Sequence, residues 1–382
     1  MTGKTVQSVR YKIFYSMQES IVSTILILVD CQIYRNSALT QAILRSLEAK
    51  NRTVRSIYHL EANDSTLIDS LQDVADSTYD ICIAASSDSF PLVSRILATL
   101  NDDTLIATGD TLHPGGVAMV KENSFLLRLN NVDCNVLLVR NNETIPKILL
   151  EPEEAYSTWQ LFGDKKHLRI LQQHARDNNY HFEHFQQIEN WYEIRIQSSY
   201  RLNKLLPSSP DLLLFPSENI FDTCIELFGS RKETISFAES CTGGLIASSF
   251  TARPGSSDIL KGSVVSYANE IKHQWLDVDE EILENPGAVS KECVEMMAKG
   301  AKILSQSDIA LATSGIAGPT GGTPFKPVGT VYIAVSDQSG TRSSHLLLKG
   351  DRNYIQYQAM MHVIKLMIEG KKEIFKEFFK IS

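Results

Sequence analysis

Glycine is nearly missing from the first 228 residues of this 382-residue chain, where Gly3, Gly109, Gly115, Gly116 and Gly163 are the whole supply. A backbone that must approach a phosphate or turn through positive φ relies on glycine, because a Cβ obstructs both. Glycine-built binding loops are therefore scarce in that part of the chain, and the other 15 glycines fall between Gly229 and Gly370. Paired cysteine spacing is absent as well. Cys31, Cys82, Cys134, Cys224, Cys241 and Cys293 form no CxxC and no zinc pattern, which suits reduced thiols rather than a disulfide scaffold. Positive charge is in deficit, with 37 Lys+Arg against 45 Asp+Glu and a net charge of −8. That balance argues against a nucleic-acid or anionic-membrane partner. The apolar run around Ile25–Val29, as long as any in the chain, is too short to span a bilayer and ends in Asp30 without a small-residue cleavage site. No signal peptide is read, and a cytoplasmic location is expected. Neither a Walker pattern nor GxGxxG occurs.

What is present is ordinary globular material, 43% hydrophobic and 21% charged, in a length that predicts two or three domains. Residues 1–21 read as an extension. Strand-like Ile25–Val29, Thr53–Tyr58 and Ile81–Ala84 alternate with helical spacing over Leu39–Ala49 and Leu67–Val74, followed by strands at Ser124–Leu129 and Val136–Val139. Such alternation implies βαβ units and a mainly parallel sheet, here over 22–150. Residues 155–210 read as a small α+β connector, with a helix over His167–Asn178, a strand over Trp191–Gln197 and a hinge at Pro207-Ser208-Ser209-Pro210. A second α/β domain follows over 217–370. It carries strands at Thr234–Ala238, Gly262–Tyr267, Ile309–Thr313, Val328–Val335 and His345–Leu348, and helices at Ile220–Leu227, Gly244–Thr251, Val289–Leu304 and Asn353–Ile368. Residues 371–382 form a tail whose Phe375, Phe378 and Phe379 are expected to pack on that domain.

Chemistry is concentrated in the second domain. Ala238-Glu239-Ser240-Cys241-Thr242-Gly243-Gly244 takes a buried strand through a small-residue turn into a helix, placing a hydroxyl and free amides at a helix N-terminus. Serine there needs a base, and no histidine sits in a triad motif. Tyr267 and Lys272, in YANEIK, supply a strand-end phenol and an amine that burial would make able to accept a proton. Each residue also has an ordinary structural use: serine as a helix cap, tyrosine as packing, lysine as a solvated helix residue. Two more loops follow strands on the same edge: Ser314-Gly315-Ile316-Ala317-Gly318-Pro319, and Gly350-Asp351-Arg352, whose guanidinium suits a phosphate.

These motifs, with GAVS (287–290) and KPVGTV (326–331), resemble the C-terminal domain of the CinA family over about 40% of the chain. The resemblance implies hydrolysis of the carboxamide of nicotinamide mononucleotide (NMN) to nicotinate mononucleotide and ammonia. It implies Ser240 as nucleophile, Lys272 as base and Tyr267 as helper. Thr242, Gly243, Gly244, Ser314, Gly315, Gly318 and Arg352 would bind substrate, with no metal and no cofactor. A homodimer is expected by the same resemblance. Amides around Thr242–Gly244 would hold the oxyanion.

The first domain resembles the family's molybdopterin-binding-like fold, which in some members hydrolyses ADP-ribose with a divalent metal. Where the family has glycine-rich loops, this chain has Val29-Asp30-Cys31-Gln32 and Ala84-Ala85-Ser86-Ser87-Asp88-Ser89. The expectation is a retained fold with a lost pyrophosphatase site, although Asp30, Asp88 and Asp110 remain as side chains for some other site. The connector resembles the family's KH-like segment but has no GxxG clamp. Its His167, His174, His181 and His184 read as solvated surface. The alternatives to an amidase are a non-catalytic scaffold or competence-linked interaction protein, and an ADP-ribose pyrophosphatase.

Overall fold

The computed structural model describes residues 24–381 apart from 51, 64–66, 77, 110, 152–155, 198–201 and 203–211. The expected N-terminal extension, the Pro207–Pro210 hinge and Asp110 lie outside the described residues. The chain divides into two compact units, residues 1–155 and 156–382. Among the described residues, no helix is long and apolar enough to cross a membrane.

The first unit runs β1 (Thr24–Val29), α1 (Cys31–Tyr34), α2 (Ser37–Glu48), β2 (Val54–Leu60), α3 (Leu67–Ala75), β3 (Asp80–Ala85) and α4 (Phe90–Leu100). It continues with β4 (Leu105–Thr108), β5 (Thr111–Pro114), β6 (Met119–Lys121), β7 (Ser124–Leu129) and β8 (Val132–Leu138). Its main sheet has the order β2-β1-β3-β8-β7-β6. The first four strands are parallel and the last two join antiparallel. Alternation along β1 explains the layering. Ile25, Ile27 and Val29 face the core under α3 and α4, while Leu26 and Leu28 face Ile33, Ile43 and Leu47 of α1 and α2. With both faces covered, β1 and β3 are buried throughout, which is why they read as continuous apolar runs. Helix α4 is not among the elements that the sequence pattern predicts. Its FPLVSRILATL buries Phe90, Val93, Ile96 and Leu97 and exposes Pro91, Arg95 and Thr99 at helical spacing, and Pro91 sits in the first turn, where its missing N–H is harmless.

The second unit opens with β9 (Tyr156–Phe162), α5 (Lys165–Asp177), β10 (Phe182–Ile188), β11 (Trp191–Gln197) and β12 (Leu213–Pro216). These strands form an antiparallel sheet ordered β10-β11-β9-β12. Helix α5 covers one face through Leu168 and Leu171. On the other face Phe162, Trp191, Leu213 and Phe215 enter the same core as Phe228 and Phe375. The connector sheet is therefore not closed by a core of its own.

The remainder comprises α6 (Ile220–Arg231), β13 (Ile235–Glu239), α7 (Leu245–Thr251), β14 (Leu260–Val265), α8 (Asn269–Leu276), α9 (Glu280–Ile282), α10 (Lys291–Ser305) and β15 (Ile309–Gly315). After these come β16 (Thr330–Asp337), β17 (Gly340–Leu347), α11 (Arg352–Gly370) and α12 (Lys372–Ile381). The sheet order is β14-β13-β15-β16-β17. On one face Ala238, Ala310, Ala312 and Ala334 let α10 pack close through Met297 and Ala301. On the other, Phe237, Leu311 and Ile333 meet Met360 and Ile364 of α11. The aromatic tail is α12, with Phe375 fully buried beside Phe215 and Phe228. Two strand ends differ from the expectation. β14 stops at Val265, two residues before Tyr267, and β17 begins at Gly340, because Thr341–Ser344, half-buried and polar, pair with β16 yet carry no apolar signal.

Arg52 and Asp80 form a nearly buried ion pair at 2.7 Å, and the other Asp80 oxygen accepts from the Asp133 amide at 3.0 Å. Removing one partner strands the other's charge. Asp80→Ala is expected to destabilise the first unit by about 3–5 kcal/mol, read as a shift of its urea unfolding midpoint.

Candidate active site

Four strands of the second unit end on one edge. β13, β14 and β15 are mutually parallel, and β17, antiparallel to β16, runs the same way as β15. Open α/β sheets bind ligands at such carboxyl ends. The loops leaving this edge bring together residues that are far apart in sequence.

At the end of β13, Ser240 extends the strand by one bond, its amide donating to the Thr313 carbonyl at 3.0 Å. The chain then turns sharply into α7. Gly243 and Gly244 both have positive φ, at 62° and 99°, a conformation that a side chain would strain. Thr242 Oγ1 lies 2.8 Å from Thr313 Oγ1, and Gln356 of α11 donates to the Cys241 carbonyl at 2.7 Å, so the turn is tied on two sides.

Glu239 dominates this turn. It is completely buried, and its carboxylate accepts from the amides of Gly244, Ile246 and Ala247 at 3.0, 3.1 and 2.9 Å. Ser263 adds a hydroxyl contact at 3.4 Å. The orphan donors at the α7 N-terminus are thus satisfied from inside the protein. This corrects the expectation that the Gly244 amide faces a substrate. The Cys241 and Thr242 amides, by contrast, have no partner among the described residues.

Lys272 projects from α8 into the same place and is 1% exposed. Its Nζ lies 2.6 Å from the Ser266 carbonyl, 3.2 Å from the Tyr267 carbonyl and 3.3 Å from Ser240 Oγ. Burial holds its pKa below the ordinary lysine value of 10.5. A neutral amine has two protons and one lone pair. Donating to both carbonyls, it would keep its lone pair for the Ser240 hydroxyl, whereas an ammonium would donate to all three oxygens. Because the native pKa is lowered, the ammonium form weighs against the native state at neutral pH; that cost fades as pH rises toward 10.5. The adjacent Cys241 does not compete as a nucleophile, since burial pushes its thiol up to about 12.

Arg352, the first residue of α11, donates through Nη1 to the Gly318 carbonyl at 2.8 Å and through Nη2 to Tyr267 Oη at 2.9 Å. Tyr267 is 63% exposed and braces the guanidinium, while the short path from Ser240 leads to Lys272. Ser314 is buried, and its hydroxyl donates to the Ala288 carbonyl at 2.6 Å, tying down the loop before α10. A Cβ on Gly315 would come within 2.7 Å of Val331, and one on Gly318 within 2.5 Å of Val328. These glycines are required by the loop's packing against β16 and the segment before it.

Sequence reading missed Glu239, Thr313 and Gln356 as site residues. Glu239 had a signal, an acidic residue just before a helix start. Gln356 stands one helical turn from Arg352 and so shares its face. The carbonyls that orient Lys272 have none, since any residue supplies one.

In the first unit, the Ser86–Ser89 loop uses its own donors. The Ser86 amide bonds Ser89 Oγ at 2.9 Å, and Ser86 Oγ donates to Asp30 at 2.7 Å. Asp30 also accepts from the Gln32 amide, and Asp88 meets Gln32 at 3.4 Å.

Residues 217–370 match the family model of the CinA C-terminal domain. A CinA-like protein of Fervidobacterium nodosum is 44% identical over 179 residues, covering 47% of this chain and 44% of that protein. A CinA-like protein of Geobacter metallireducens is 50% identical over 139 residues, covering 36% and 34%. The chain thus matches less than half the length of either relative. Competence/damage inducible protein CihA from Agrobacterium tumefaciens, a solved structure, is similar over 40% of this chain and 96% of its own, with 35% identity and a TM-score of 0.39.

Glu239→Ala leaves three amides without their acceptor inside a closed site. It is expected to lower the stability of the second unit by about 2–4 kcal/mol, with Glu239→Gln intermediate, both measured by chemical denaturation.

Proposed function

We propose that residues 217–370, a CinA C-terminal domain, hydrolyse the carboxamide of NMN to nicotinate mononucleotide and ammonia by a Ser240–Lys272 mechanism. The observation that carries this reading is the buried Lys272 amine, pinned by two carbonyls and 3.3 Å from Ser240 Oγ. A hydroxyl is a weak nucleophile until a base removes its proton, and this amine is positioned to be that base.

In the proposed sequence, neutral Lys272 accepts the Ser240 proton as Oγ attacks the carboxamide carbon. The carbonyl oxygen becomes an oxyanion, for which the Cys241 and Thr242 amides, unpartnered among the described residues, are the available donors. Lys272 returns the proton to the leaving nitrogen, the C–N bond breaks, and ammonia departs. Water then gives a proton to Lys272 and attacks the acyl-serine ester, and proton return to Oγ regenerates Ser240. Arg352, braced by Tyr267 and Gly318, supplies a fixed cation for the substrate phosphate.

Ser240→Ala and Lys272→Ala are each expected to reduce ammonia release from NMN by at least a factor of roughly 1,000 while leaving the melting transition in place. Full activity in either variant would overturn the assignment. Because the base must be unprotonated, kcat/KM should rise with pH through one ionisation whose apparent pKa lies below 10.5, and then level off. Lys272→Arg, which stays charged, should show no such rise.

A further inference from the structure

Away from the strand-end site, the connector sheet and α5 enclose an open cleft of about 670 Å³. That volume is in the range of small-molecule sites. One wall is the first turn of α5, where Lys165, Lys166 and Arg169 all line the cleft. None of the three forms an ion pair or a side-chain hydrogen bond within the described residues. Their spacing puts Lys165 and Arg169 on one face, with Lys166 adjacent. Asp164 and Glu189 also line the cleft. The Asp164 carboxylate accepts from the Lys166 and His167 amides at 2.8 and 3.2 Å, and three cations against two carboxylates leave the lining with a small positive excess.

The opposite wall adds an independent observation. Tyr192 of β11 lines the cleft, yet it is only 2% exposed and lies in the core beneath α5. Its hydroxyl makes no hydrogen bond among the described residues. Burial holds its pKa above the ordinary tyrosine value, and Asp164 and Glu189 push it the same way. The hydroxyl is not among the buried polar atoms left without a partner, so it opens to the solvent of the cleft, where it can donate to an acceptor that also meets the three exposed cations.

We propose that this cleft binds the phosphate group of a small phosphorylated molecule, with Lys165, Lys166 and Arg169 supplying charge and Tyr192 Oη donating a hydrogen bond. A phosphoryl group matches the set because it carries more than one negative charge and accepts from several directions, including both arms of a guanidinium. A neutral ligand would leave the cations unmatched. The site is separate from Arg352 and does not depend on the amidase reading.

The test is titration calorimetry on the full chain carrying Arg352→Gln, which silences the other cation proposed for phosphate. Inorganic pyrophosphate and ADP are the probes. Saturable binding is expected, and tighter binding of ADP than of pyrophosphate would assign part of the site to the nucleoside. Arg169→Gln and Tyr192→Phe should each weaken binding roughly tenfold, the effect of losing one charge-assisted hydrogen bond. Tyr192→Phe keeps the buried ring, so an unchanged melting curve separates loss of binding from loss of fold. No saturation by either probe up to about 10 mM would overturn the proposal. So would binding that neither variant weakens, or binding of single-stranded RNA without binding of pyrophosphate or ADP.

Discussion

A buried carboxylate holds the strand-end site in shape. Glu239 lies at the last position of β13, where no water reaches it, and gathers the first amides of α7. Hydrogen bonds to a charged group contribute about 1.5–3 kcal/mol each, and here they fix the entry angle of a helix only seven residues long. Without that clamp the turn through Gly243 and Gly244 would have little to oppose fraying, because α7 is too short to be stable on its own. The position of Ser240 is inherited from this arrangement. The clamp also consumes the helix N-terminus, so the amides of Gly244, Ile246 and Ala247 are spent inside the protein.

Lys272 is organised on the same principle of leaving one valence open. Its burial disfavours the charged form, and two backbone carbonyls orient what remains. Carbonyls suit this task because they accept protons from the amine in either charge state and cannot themselves be titrated. A carboxylate in their place would favour the charged form of the lysine. Arg352 follows the opposite logic. It stands in contact with solvent, permanently charged, and its direction is set by Tyr267 and the Gly318 carbonyl.

The two units carry different signatures at comparable places. In the second, strand ends meet in a turn whose donors are partly free. In the first, the corresponding loop around Ser86 and Ser89 spends its hydroxyls and amides on itself and on Asp30. The shortage of glycine and the closed hydrogen bonding of that loop are two views of one fact, since side chains that replace glycine both block an approaching ligand and supply partners of their own.

Residue order alone was enough for the α/β class and the central strands β1, β3, β13 and β15, and it singled out Ser240, Lys272 and Arg352 as residues that could carry chemistry. Continuous apolar runs and small-residue turns are local signals, and they survive folding unchanged. The polar half of β17 carries no apolar signal, and α4 was missed although its apolar residues recur at helical spacing. It took the assembled fold to bring Phe162 and Trp191 into one core with Phe228, and to commit Gly315 and Gly318 to packing against Val331 and Val328. Folding also put the Ser266 and Tyr267 carbonyls against Lys272 and left Tyr192 facing a cleft lined with cations. The reason is physical: a backbone carbonyl or an unpaired hydroxyl is the same group in every sequence, and only three-dimensional neighbours give it a role.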